Sequence, residues 1–426
     1  MKRSVSTLAG KRSVKGRYVI VAVILAVTLV GAVGYQIYTA STGTNDQSVL
    51  VSSVESSALN SPSTPSQVAN GTVSPATNTT QPIVPVTLSG AGIGVGASLP
   101  ASLFKAWSTE FLNVSPAVTV KYSSSTSKIS KLVRGAIDFG ASDVPLSDTQ
   151  LAGTSGLVLF PETLGGVAIT YNLLLLGLPK GTILNFTPDV LVGIYFGQIT
   201  QWNDPRIAAI NPGIVLPGNL ITPVHRSDAG GTTYAFTNYL SSVSPNWATE
   251  IGYGTSVKWP ADILAYGVGA KGNAGVEKIV STTAGALGYV DFNYASANNL
   301  TVGSIRNAAG NYEAPTVETI EWAAANSTMV SGQPGILLNS VNAKGRDSYP
   351  IATVTYVVLY KDMSQNAGIT IYKARALANF LSWIIHDGQE YAPGLFYAPL
   401  PQNIVSADEQ LILILNYQGQ PLLNHS

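Results

Sequence analysis

Three times along this 426-residue chain an apolar run ends in a short stretch of small and hydroxyl residues, then gives way to apolar residues at helical spacing. The first passage, at 86–112, reads VTLSGAGIGVGASLPASLFKAWSTEFL and places Leu103, Phe104, Trp107, Phe111 and Leu112 at that spacing. The second runs from the strand AVTVKY at 117–122 through SSSTSK into a helix with Ile129, Leu132 and Val133 on one face. The third joins the strand ITPVHR to the helix TTYAFTNYL through a turn containing Ser227, Asp228 and two glycines. The run VAITYNLLLLG predicts a buried strand, and Thr187-Pro188 predicts a helix start. Such alternation predicts α/β architecture with mainly parallel sheets. Sheets of this kind place ligands at the carboxyl ends of strands, in the loops that enter helices.

Only part of the chain can fold in this way. Residues 40–87 are rich in Ser, Thr, Asn and Pro and carry few large apolar side chains. They cannot bury enough surface to offset their ordering entropy, so residues 39–87 read as a linker. Ahead of them lies YVIVAVILAVTLVGAVGYQIY at 18–38, uncharged and long enough for a hydrocarbon layer of roughly 30 Å. Lys2, Arg3, Lys11, Arg12, Lys15 and Arg17 precede it with no acid among them, which predicts a cytoplasmic 1–17 and an outside location for the rest. A retained membrane anchor is expected; the alternative is a signal peptide cut near Val30-Gly31-Ala32. Seven Asn-X-Ser/Thr sequons, at Asn70, Asn78, Asn113, Asn185, Asn299, Asn326 and Asn424, accord with an outside location.

Charge and rare residues remove several function classes. The full chain balances 23 basic against 23 acidic residues, and residues 88–426 keep 17 and 21 of them. A folded part near −4 has no general attraction for nucleic acid. With no cysteine there is no disulfide, thiol nucleophile or cysteine-held zinc. Histidine is limited to His225, His386 and His425, with no HExxH-type spacing, and no Walker A pattern is present. An enzyme would need a metal cluster or an activated nucleophile, and the sequence offers neither; no cofactor is expected.

The three turns do offer a site for a tetrahedral anion. A helix N-terminus carries unpaired N–H groups and about half a positive charge, and small residues let an anion approach it. Arg226 adds a planar fork that matches two oxygens, and Asp228, two residues on, would hold that fork in place. Asp143, in DFGASDVPLSD, is a carboxylate in an anion site. It either caps the turn before Val144-Pro145 or accepts a proton that the anion still carries, which would favour hydrogen phosphate over sulfate. His225 adjoins Arg226 along a strand, so it is expected on the opposite face, packed or in solvent.

Taken together, GASLP (96–100), DFGASDVPLSD (138–148), FPETLGGVAITYN (160–172), HRSDAGGTT (225–233), GAKGNAG (269–275), GALGYVDFNYA (285–295) and YAPLP (397–401) resemble one family. It is the substrate-binding protein of the phosphate ABC importer, of the type II periplasmic-binding-protein-like class. The resemblance implies two α/β lobes joined by crossings near 162–163 and 350–351: lobe I at 88–162 and 351–426, lobe II at 163–350. It implies anion contacts from Ser98, the N–H of Leu99, Arg226, Gly231 and Thr232, with Asp143 as proton acceptor and Asp228 as companion to the arginine. Two positions depart from the family. Gly230 replaces its serine, which removes one hydroxyl donor and leaves the Gly230 N–H as the expected anion contact there, and SSSTSK replaces a Ser-Ser-Gly-Gly turn, with Ser127 matching the ligand serine and Ser125 or Thr126 as alternatives. The implied partners are inorganic phosphate and an ABC permease, with the protein a monomer that takes no nucleic acid. Other readings are the same fold tuned to arsenate, sulfate or molybdate, or an envelope protein that has lost its ligand. The blocks SYPI and YAPLP are expected to be structural, and Gly165-Gly166 to allow close backbone approach.

Overall fold

The computed structural model describes residues 90–125, 128–147, 149–150, 154–330 and 335–423. The basic segment 1–17, the apolar span 18–38, the linker 39–87, and Thr126 and Ser127 lie outside them. Among the described residues no helix is long and apolar enough to cross a membrane.

The first passage forms β1 (Gly90–Gly96) and α1 (Ala101–Val114). The second forms β2 (Val118–Ser124) and α2 (Lys128–Val133), followed by β3 (Phe139–Ser142) and the long β4 (Leu157–Tyr171). After α3 (Pro188–Phe196), the third passage forms β5 (Thr222–Arg226) and α4 (Gly231–Val243). Then come β6 (Val268–Ala270), α5 (Gly272–Thr282), β7 (Ala286–Asp291), α6 (Phe292–Ala297), β8 (Ala352–Tyr360) and α7 (Ile371–Ile384). The strands form one sheet of eight in the order β2-β1-β3-β8-β4-β7-β5-β6.

The helix signals hold where packing supports them. Thr187 accepts the N–H of Val190 and starts α3, as its Thr-Pro pair predicts. Leu103, Phe104, Trp107 and Phe111 of α1 are buried, and the Phe104 ring stacks on Tyr122 at 4.3 Å. Each such ring contributes about 2 kcal/mol by burial. Leu112 and Val133, expected on buried faces, are both exposed instead. α2 has only six residues, enough to bury Leu132 and little more.

Two expectations are corrected at the centre of the sheet. The pairing is mixed: β1 pairs with β2 and β3 in parallel, as β5 does with β6 and β7, but β3-β8, β8-β4 and β4-β7 are antiparallel. The reason is β4. Its first ten residues, 157–166, run beside β8, and Val167–Tyr171 run beside β7, so one strand serves both halves of the sheet. All fifteen of its residues are buried. Pro161 has no N–H for a ladder, and the register with β8 shifts there, so that Pro161 faces Tyr356, Thr163 faces Thr355, and Glu162 is left over.

The second correction concerns the leucine run. The strand stops at Tyr171, and Leu174 and Leu175 stand exposed in a short 3₁₀ turn. Asn172 causes the turn. Its amide donates to the carbonyls of Val280 and Ser281 at the end of α5, while its Oδ1 accepts from Leu175. Gly165 does lie close to a neighbour: a β-carbon there would sit 3.0 Å from the Leu99 side chain.

Candidate anion-binding site

The carboxyl ends of β1, β3 and β5 open into one cleft of about 1100 Å³. Ser98, Asp143, Arg226, Asp228, Gly230 and Gly231 all line it, though they span more than 130 positions of sequence. Arg226 ends β5 and is buried. Its Nε and Nη2 donate to the two oxygens of Asp228 at 2.8 and 2.6 Å, and its Nη1 donates to Thr232 Oγ1 at 3.3 Å. Asp228 also accepts the N–H of Gly272 at 2.9 Å. The paired guanidinium holds the Asp228 carboxyl down at about 2, so both groups are charged at any physiological pH. The arginine plane is thus set by a carboxylate that cannot move without releasing α5.

The other site residues behave unequally. α4 begins at Gly231 without a side-chain cap, and no hydrogen bond among the described residues engages the N–H groups of Gly231 or Thr232. The same is true of the N–H of Leu99 ahead of α1. These N–H groups have no internal partner and are left for an anion, though of the three residues only Gly231 lines the cleft. The hydroxyl of Thr232 instead donates to Asp291 Oδ1 at 2.8 Å. Ser98 stands exposed at the mouth of the cleft. Gly230 is corrected: its N–H donates to the Thr255 carbonyl at 2.9 Å and is not a free donor. A β-carbon at Gly230 would meet Arg226 Nη2 at 2.6 Å, so the guanidinium lies where the family's serine would project. His225 is buried against Trp259 with ring centroids 4.9 Å apart, and its Nε2 bonds Asp262, away from the cleft.

Asp143 is fully buried at the end of β3, and its Oδ1 has no hydrogen-bond partner among the described residues. Burial, reinforced by the nearby Asp291 carboxylate, raises its carboxyl from 3.8 to about 7, against the pull of Lys128 and Arg226. The carboxylate presses on the first residue of α4. A β-carbon on Gly231 would sit 2.1 Å from Asp143 Oδ2. Gly231→Ala must therefore push the two halves of the cleft apart. Anion affinity should fall roughly 100-fold, the scale of a 1 Å misplacement in a site. Titration calorimetry checks it, and an unchanged affinity would show that Asp143 and α4 do not meet when the anion binds.

The raised value also sets how stability varies with pH. Folded Asp143 binds its proton more tightly than unfolded Asp143, so stability is highest below about pH 4 and falls as pH rises to about 7. The loss is on the order of 4 kcal/mol for this group. Burial likewise raises Glu162, Asp291 and Asp408, which adds to the same trend. Denaturant unfolding of anion-free protein should show greater stability at pH 5 than at pH 8, and Asp143→Asn should flatten part of that slope.

Several cleft residues were not singled out from the sequence. Lys128, Arg134 and Lys271 line the cleft, so a domain of net negative charge gathers cations locally. Lys128 lay in the quoted SSSTSK turn and Lys271 in GAKGNAG, but nothing local to either marks it as facing Arg226. Asp291 accepts from Asn273 at 2.6 Å as well as from Thr232, and so joins β7, α5 and α4 behind the arginine.

An α/β sheet with uncapped helix ends, a clamped arginine and a buried carboxyl facing one cleft defines an oxyanion-binding protein of the type II periplasmic-binding class. The pattern of the PBP superfamily domain matches residues 78–387. The phosphate-binding protein PstS of Xylella fastidiosa strain Temecula1 is 36% identical over 343 residues, covering 80% of this chain and 90% of that protein. The protein of the same name from Methanocaldococcus jannaschii is 34% identical, covering 72% and 82%. The solved phosphate-binding protein of Stenotrophomonas maltophilia superposes with a TM-score of 0.55 at 20% identity, covering 76% and 94%, and so shares the fold. The chain belongs to the PBP superfamily and, within it, to the family of phosphate-binding proteins of phosphate ABC transporters.

Proposed function

We propose that this protein captures inorganic phosphate, as the hydrogen phosphate dianion, outside the cytoplasm and delivers it to an ABC-type import permease. The observation that carries the reading is the pairing of opposites in one cleft. Arg226 and the free N–H groups of α4 attract an anion, and buried Asp143 repels any anion that cannot give it a proton. Relatives named phosphate-binding protein support it over most of the chain. In the bound state Ser98, the Leu99 N–H, the N–H groups of Gly231 and Thr232, and Arg226 donate, and Asp143 accepts. Ser127, or its neighbours Ser125 and Thr126, would complete the shell.

The change of partners within β4 supports two lobes that close over the ligand, near the expected 88–162 with 351–426 and 163–350, with the first reaching on to Gly166 before β4 changes partners. The span 18–38 would tether a monomer through the linker 39–87, or leave it secreted if cut. Arsenate carries the same proton as phosphate, so it is the competing ligand that Asp143 admits. Calorimetry on the full chain in mild detergent, stripped of bound anion by partial unfolding, tests the reading. One-to-one phosphate binding without a sulfate response at pH 8 is expected. Sulfate binding there would mean that Asp143 does not face the ligand, and binding of neither would favour the envelope-protein reading.

A further inference from the structure

Tyr397 lies in the YAPLP segment and its side chain is fully buried. Its hydroxyl donates to the carbonyl of Leu99 and accepts from Ser102 Oγ at 2.6 Å and from Asn293 Nδ2 at 2.7 Å. One donor and two acceptor sites are all used. Leu99 and Ser102 bracket the entry to α1, where the free Leu99 N–H stands. Asn293 belongs to α6, directly after β7, in the other half of the sheet. The loop bearing Tyr397 is fixed to the first half, since Ala398 and Leu164 exchange backbone hydrogen bonds at 3.0 and 3.2 Å. Phe396 is held at φ 63°, a left-handed conformation that a bulky residue adopts only where its surroundings demand it. The Phe396 ring lies edge-on to Phe292 at 6.2 Å between centroids, next to Asn293 in sequence.

We propose that Tyr397 is a positioning residue that latches the Leu99–Ser102 turn to Asn293 and so holds the two halves of the molecule together around the anion. The proposal rests on the phosphate reading for its consequence, but not for its geometry. The hydroxyl touches no anion donor directly; it fixes the residue that carries one and ties that residue across the cleft.

Two variants test it in the full chain: Tyr397→Phe, which keeps the ring, and Asn293→Ala, which removes the half-buried partner and leaves the Leu99 carbonyl bonded. Asn293→Ala should speed phosphate dissociation five- to tenfold, the loss of one hydrogen bond, and Tyr397→Phe, which removes all three bonds of the hydroxyl, at least as much, with association changed less than twofold in both. The double variant should be no worse than the more affected single one, because both remove the same link. Because the chain has no cysteine, Thr109→Cys and Glu250→Cys provide unique label sites on the two halves. In phosphate-free protein the distance between the labels should lengthen in both variants. A merely structural tyrosine would lower the melting temperature and leave that distance alone. An unchanged distance in both variants overturns the latch whatever the phosphate result. Failure of the native protein to bind phosphate would remove the functional reading while the distance still decides the latch.

Discussion

Arg226→Ala is expected to abolish measurable phosphate binding, with a loss of roughly three orders of magnitude. The side chain is the buried cation of the site, and it is held by two hydrogen bonds to Asp228 and one to Thr232. Removing it takes away the fork proposed to meet two anion oxygens. It also leaves Asp228, Asp143 and Asp291 around one cleft with their shared counter-charge gone. Asp228 is about a third exposed, so water takes up part of the lost pairing and the fold should lose only about 1–3 kcal/mol, which thermal unfolding followed beside calorimetry would read. Arg226→Lys separates the two effects. It keeps the charge and loses the bidentate match to Asp228, so stability should recover more than affinity does. Phosphate affinity within tenfold of native in the alanine variant would show that the anion sits elsewhere.

The second large effect concerns selectivity. In the native protein above pH 7, ionised Asp143 should exclude sulfate by several kcal/mol of like-charge repulsion, or about 10³-fold. As pH falls through about 7 the carboxyl takes up a proton and becomes a donor, so sulfate affinity should rise. Asp143→Asn replaces the acceptor by a neutral amide. It should bind sulfate about 100-fold better than native protein at pH 8 and show little pH dependence between pH 5 and 8. Competition calorimetry with both anions at the two pH values reads this directly. A native protein that rejects sulfate equally at pH 5 and 8 would sink the role given to Asp143.

Much of this site is legible in the sequence because its signals are short. Arg226 and Asp228 share one turn, and a basic and an acidic residue two apart before a pair of glycines already suggest a clamp. The uncapped starts of α1 and α4 follow from runs of small residues between a strand and a helix. What was misread depended on distant neighbours. A free Gly230 N–H looked available until Thr255, twenty-five residues on, was seen to accept it. The leucine run looked like strand until Asn172 was found bonded to the end of α5.

The sequence by itself determined the α/β class, the small-residue turns between strand and helix, and the pairing of Arg226 with Asp228 in one of them, because each rests on residues within one strand-turn-helix unit. Only the tertiary structure decided that Asp143 presses on Gly231, that Asp291 takes the Thr232 hydroxyl, and that Tyr397 reaches both Leu99 and Asn293. Those contacts join residues from 59 to 298 positions apart. They depend on where β4 changes partners between the halves of the sheet, and no local pattern of side chains encodes which distant group will fill the space beside it.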